Sequence, residues 1–272
     1  MRSLFLALTL ILSAATATAE SFTYANNPAI TFHFGEKVSQ SSRENIIEGV
    51  RRVETYFREQ TGDRYEGNIN IVAYHDEKFF RKTVPSRYRY STPCGGGYSH
   101  NGKRGDTYYV VICLSSWPFE SAAEGGAASL ARQERNLAIH EMTHVMQKHW
   151  MGHISFSKNP HWLRESEANY VGQMLKSSES QTHGQTLANM ARQSNPDISL
   201  KRIHTMEDFA KYRPYSYANT AQATHWRLEH FGWDAIKAYW QAEGQRKSPN
   251  AAFKAAFGMS LNEFYKQFEY MQ

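Results

Sequence analysis

The chain has 272 residues, 41% of them hydrophobic and 21% charged, with a formal net charge of +5 and a pI near 9.1. That length is ample for a packed core, in one domain or in two lobes sharing a cleft, and the composition excludes a disordered or fibrous chain. The basic residues are dispersed, with no dense run or aromatic-basic module, so no nucleic-acid partner is expected, and two cysteines are too few for a disulfide-built scaffold.

From the N-terminus, Met1-Arg2 precedes an apolar run from Leu4 to Leu12, and Ala17-Thr18-Ala19 forms an A-x-A site before Glu20. This predicts a secretory signal peptide over residues 1–19, cleaved near Ala19 to leave a secreted or periplasmic chain. Loss of Arg2 takes the net charge from +5 to +4. The run is too short to span a bilayer comfortably and no other stretch is long enough, so no stable membrane insertion is expected. Export makes a single Cys94–Cys113 disulfide the expected state of the two thiols, a crosslink worth about 3 kcal/mol in the chain-entropy model.

Ile30 to Phe34 alternates like a strand, and Ile46, Val50, Val53 and Phe57 recur at helical spacing. Asn68 to Tyr74 reads as a second strand. Cys94-Gly95-Gly96-Gly97 and the turn Asn101-Gly102 lead into Asp106 to Leu114, whose Tyr-Tyr-Val-Val-Ile core completes a hairpin. Arg104-Gly105-Asp106 spells an adhesion tripeptide but is read as favoured turn residues. Ser121 to Ser129, small and Gly-rich, is expected to be a flexible approach to the next helix.

That helix carries His140-Glu141-Met142-Thr143-His144. Two histidines four residues apart stand one above the other, with Cβ atoms about 5–6 Å apart, so both imidazoles can reach one ion. Glu141 is poorly placed to complete the same tetrahedron but well placed to take a proton from an attacking water. The pentapeptide alone is suggestive in a chain with 12 His. A working site needs a third ligand and an open fourth position. A third His at the HExxHxxGxxH spacing is excluded, because Gln147 stands for the Gly and Trp150 for the His; His149 and His153 miss that spacing and read as ordinary polar residues near the helix end. The remaining source is the following helix, opened by Asn159 as a cap and Pro160 in its first turn, which offers Glu165 and Glu167.

The segment from Trp162 to Tyr170 resembles the gluzincins, in particular the peptidase-MA-like families, whose second motif looks like WLxEGxAxY. Trp162, Leu163, Glu165, Ala168 and Tyr170 match, while Ser166 replaces the usual Gly. The resemblance implies Glu165 as the third ligand over its rival Glu167, which would point about 200° away around the helix. It also puts Asn169 where many members have an Asp bonded to a zinc-bound His; an amide oxygen can still accept an imidazole N–H, without the carboxylate's charge. Family members further carry a Tyr that opens a helix ending about four turns later in Phe/Tyr-Gly. Of the three phenols Tyr212, Tyr215 and Tyr217, Tyr217, followed by Phe231-Gly232, fits that pattern, ahead of Tyr215, His225 and His204, as the donor to an oxyanion. The resemblance also suggests that the strand Thr107 to Leu114 is a sheet edge along which an extended peptide binds. It covers roughly Leu137 to the C-terminus.

In the remaining chain Gly232 is expected to end one helix and Ala235 to Ala242 to form another. Ser260-Leu261-Asn262-Glu263 is a capping box for a last helix buried along Leu261, Phe264, Tyr265 and Phe268. The expected fold is α+β and zincin-like, with a sheet-bearing N-terminal lobe over residues 20–129 and a helical lobe over 130–272. The expected protein is an exported zinc metallopeptidase acting on peptides or proteins. One Zn2+ sits on His140, His144 and Glu165, Glu141 is the general base, and Tyr217 serves the oxyanion. An exported binding protein on a peptidase scaffold and a zinc amidohydrolase acting on a non-peptide amide are the alternatives.

Overall fold

The structure is a computed structural model that describes residues 18–89, 97–101, 107–152, 159–176, 182–245 and 247–270. Most of the expected signal peptide, together with Cys94, Arg104-Gly105-Asp106 and His153, lies outside the described residues. The fold is mixed α+β.

Five strands, β1 (Glu20–Thr23), β2 (Ile30–Phe34), β3 (Asn68–Tyr74), β4 (Gly97–Asn101) and β5 (Thr107–Cys113), form one sheet in the order β1-β2-β3-β5-β4. β2, β3 and β5 run parallel, with Ile30 opposite Ile69 and Ile71 opposite Val110, while β1 and β4 are antiparallel to their neighbours. The period-2 alternation sorts the side chains. Ile69, Ile71, Ala73, Tyr108, Val110 and Ile112 enter the main core. Val72, Tyr74, Val111 and Cys113 face the other way and meet Phe80 of α2 (Glu77–Thr83), Val84 and Tyr88 in a smaller cluster.

The 107–113 strand is therefore not an edge. It is paired on both sides, and the edge of the described sheet at that end is β4. The hairpin was legible in the sequence. Which of its strands lies outermost depends on β3 pairing with β5 across an intervening helix and strand, which no local pattern encodes.

α1 (Gln40–Thr61) starts at Ser39, whose hydroxyl accepts from Ser42 N at 3.1 Å, and stops at Gly62, which takes φ +73°. Its stripe of Ile46, Val50, Val53 and Phe57 is fully buried. The stripe is interrupted by Gly49, where a Cβ would lie 2.8 Å from the Arg135 carbonyl. This small residue lets α1 lie directly against α4 (Ala127–Trp150), the helix carrying the HExxH motif. Tyr65 adds a tie, its hydroxyl donating to the Met142 carbonyl at 2.9 Å.

The approach to α4 is less open than its composition suggests. Ser121 to Glu124 belongs to α3 (Trp117–Glu124), and Ala127 already starts α4. The break is confined to Gly125-Gly126, where Gly126 takes φ +84°.

The other helices are α5 (His161–Lys176), α6 (His183–Gln193), α7 (Met206–Lys211), α8 (Tyr215–Gly244), α9 (Pro249–Phe257) and α10 (Leu261–Tyr270). Gly232, at φ 72° and ψ 179°, breaks α8 where the sequence placed a helix end. The Ser260–Glu263 capping box forms in both directions, and Phe264, Tyr265 and Phe268 are buried. α10 anchors α5: Trp162 lies parallel to Phe264 at 5.7 Å and donates to the Tyr265 hydroxyl at 3.0 Å. Asn159 does not cap α5 with its side chain. Its amide reaches α8 instead, with its nitrogen turned toward the Tyr239 hydroxyl at 3.0 Å and Glu243 at 3.1 Å. Among the described residues no helix is long and apolar enough to cross a membrane.

Candidate metal centre

α4 is buried around most of its circumference from Ala138 to Lys148, between α1, the sheet, α5 and α8. Polar residues in such a helix must find partners, because an unpaired buried charge is expensive. His140 and His144 find theirs on α5. His140 Nε2 lies 3.2 Å from Glu165 Oε2, His144 Nε2 lies 3.5 Å from the same oxygen, and the two Nε2 atoms are 3.2 Å apart. The three side chains are 14%, 10% and 13% exposed in the order His140, His144, Glu165.

These separations can be set against an ion's requirements. Bonds of about 2.0–2.1 Å in a tetrahedron place the donors about 3.3–3.4 Å apart. The triangle of 3.2, 3.2 and 3.5 Å straddles that value. The group could hold a metal ion.

The local electrostatics favour positive charge at the shared point. Burial would raise the Glu165 carboxyl, but the His144 and His140 imidazoles outweigh it and hold it well below the usual carboxylate range. Burial would lower His140, but Glu165, Glu141 and a backbone hydrogen bond to Ala168 prevail and raise it. The second Glu165 oxygen faces His161, whose Nε2 is 3.7 Å from Oε1. His161 is lowered by burial against the pull of Glu165, and its ring stands edge-on to Phe209 of α7 at 5.1 Å. The sequence reading missed His161. The signal was present, since residues 161 and 165 share a helix face at i,i+4.

Glu141 is 5% exposed, and its charge acts on His140, Lys148 and Tyr217. Lys148 is buried beside the site; burial pushes its amine down to about 8, against the pull of Glu141 and Glu165. Tyr217, in the first turn of α8, packs edge-on to Phe209 at 4.9 Å with the Arg213 guanidinium over its ring. Its phenol is raised chiefly by burial, with Arg213 opposing and Glu165 and Glu141 adding to the rise. Those two carboxylates put Tyr217 within electrostatic reach of the centre.

The rival tyrosine and histidines lie differently. Tyr215 is 40% exposed. His225 lies parallel to Tyr170 and 3.4 Å from Glu229. His204 is exposed, and its backbone carbonyl accepts from His161 N.

Glu167, the rival ligand, points away as its position around the helix predicts, into a fully buried ion pair with Arg227 of α8, at 2.8 Å. One expectation about α5 changes. Asn169, expected against a histidine, donates to Thr220 Oγ1 of α8 at 2.9 Å. The amide beside His144 belongs to Gln147, whose Oε1 is 2.8 Å from His144 Nδ1. Gln147 lies three residues on from His144, on the same helix face, and that spacing is the local sign of the contact.

Cys113 is buried at the end of β5, and its expected partner Cys94 lies outside the described residues. No protein-family model and no curated protein sequence matches this chain.

Proposed function

We propose that the chain is a zinc-dependent metallopeptidase of gluzincin type with a zincin-like active-site arrangement. The carrying observation is the donor triangle of His140, His144 and Glu165, with separations of 3.2–3.5 Å, beside a buried carboxylate and a phenol. Two imidazoles and one carboxylate are a donor set suited to catalytic zinc, since three protein ligands leave a fourth position open. Zinc bound there would lower the pKa of a water and polarise a substrate carbonyl.

The protein groups divide the remaining work. Glu141 accepts the proton of the attacking water and returns it to the leaving amine. The Tyr217 hydroxyl donates to the oxygen that gains charge in the tetrahedral transition state; its raised pKa keeps it a neutral donor at ordinary pH. Export by a cleaved signal peptide, a Cys94–Cys113 disulfide and a peptide or protein substrate belong to the same proposal.

The test uses the purified mature chain. Metal content is measured per chain, and cleavage of a mixed peptide library is followed with and without chelator. We expect one zinc per chain, chelator-sensitive cleavage, and a Glu141→Gln variant that keeps zinc and loses turnover. A fully active Glu141→Gln variant, or a metallated chain that cleaves nothing, would overturn the reading.

A further inference from the structure

Both ring nitrogens of His144 are engaged, and one contact determines the other. Nε2 faces His140 and Glu165, while Nδ1 lies 2.8 Å from Gln147 Oε1. The orientation of that amide is decided on its far side. Gln147 Nε2 is 2.5 Å from Glu167 Oε2 and 3.0 Å from the Arg164 carbonyl. A carboxylate and a carbonyl only accept, so a reversed amide would press its oxygen against both. The oxygen therefore faces His144, and Nδ1 must carry the proton.

Glu167 is itself immobilised. Its Oε1 pairs with Arg227 Nη1 at 2.8 Å. Arg227 donates further to Ser166 Oγ at 2.7 Å, to Thr224 Oγ1 at 2.9 Å and to the Ala223 carbonyl at 3.2 Å. Gln147, Glu167 and Arg227 have no exposed surface. The chain of contacts runs from α4 through α5 to α8, and each group has one workable orientation.

We propose that Gln147, clamped by the Glu167–Arg227 pair, is a positioning residue that holds neutral His144 as its Nδ1–H tautomer, leaving the Nε2 lone pair aimed at the point shared with His140 and Glu165. Its use in metal binding rests on the metallopeptidase reading; the tautomer lock itself does not. A hydrogen bond behind a ligating imidazole fixes ring and tautomer, and its loss costs about 10- to 100-fold in metal affinity. A neutral amide does this here, with the carboxylate's charge one residue further back and balanced by a guanidinium.

The test reads the tautomer directly. Long-range proton–nitrogen correlations are recorded in alkaline buffer on the metal-free mature chain with 15N-labelled histidine, with His144→Gln giving the assignment. The wild type should show a protonated Nδ1 and an unprotonated Nε2. Gln147→Met, close in size but without an acceptor, should move His144 toward the Nε2–H form and weaken zinc binding 10- to 100-fold in a chelator competition.

An Nε2–H wild type would overturn the proposal whatever the variants do. An unchanged tautomer in folded Gln147→Met would overturn it equally. An Nδ1–H wild type that binds no zinc would uphold the lock and remove the metallopeptidase reading.

Discussion

Replacing Arg227 by Met tests the network at its far end. The guanidinium and the Glu167 carboxylate are both fully buried and 2.8 Å apart. At an effective dielectric near 20, unit charges about 4 Å apart interact by roughly 4 kcal/mol, and the desolvation of each ion consumes most of that gain. The pair adds little net stability while both members are present, but either member alone is costly. Arg227→Met leaves Glu167 with only the Gln147 amide, and Glu167→Gln leaves the guanidinium without its counter-ion. Each single change should cost about 3–5 kcal/mol, whereas the double change should lie within about 1–2 kcal/mol of wild type. For a chain of this size the single changes correspond to roughly 6–20 °C in Tm. Urea unfolding of wild type, both singles and the double gives the coupling energy. An Arg227→Met variant within about 1 kcal/mol of wild type, or additive singles, would refute the reasoning.

Three further outcomes follow from particular contacts. Tyr217→Phe removes the donor proposed for the developing oxyanion and should lower kcat about 10²- to 10³-fold with little change in KM; steady-state kinetics on any cleaved peptide decide it. Gly49→Ala places a Cβ 2.8 Å from the Arg135 carbonyl, and should cost about 1–3 kcal/mol in urea unfolding and weaken metal retention as α4 shifts. Asp63 is raised by burial but lowered more by Lys237 at 2.7 Å and Trp150 Nε1 at 2.8 Å, so its net shift is downward. A depressed carboxyl stabilises the fold above its unfolded value near 3.9 and loses that contribution as the pH falls through the folded value. The stability gap between wild type and Asp63→Asn should therefore narrow as unfolding is measured at falling pH below about 4.

What the sequence disclosed follows the range of the forces involved. Ile46, Val50, Val53 and Phe57 announced α1 because burying one helix face needs a periodic stripe, and the α10 capping box is complete within four residues. His140 and His144 were legible for the same reason. Glu165 needed a motif on a second helix, and His161 could have been found by asking what else shares its face. The Gln147–Glu167–Arg227 chain was not legible, because its members lie 20 and 60 residues apart on three helices and nothing local marks them as a set. α6 and α7 were passed over although Thr182–Gln185 and Thr205–Asp208 are capping boxes that could have revealed them. Strand order failed for a different reason: alternation tells which face is buried and is silent about neighbours.

The long helix α8 carries Tyr217 near its start and Arg227 ten residues on, about 15 Å along the axis. On the proposed function one stretch of helix would serve the centre twice, through the Tyr217 phenol and, by way of Glu167 and Gln147, through the guanidinium behind His144. A compound that draws the phenol toward itself pulls on the same rod that orients an imidazole. Linkage is reciprocal: by whatever factor an inhibitor engaging Tyr217 tightens the ion, the ion must tighten that inhibitor. If the chain acts as proposed, metal retention and substrate grip would be a single mechanical property, read from two ends of one helix.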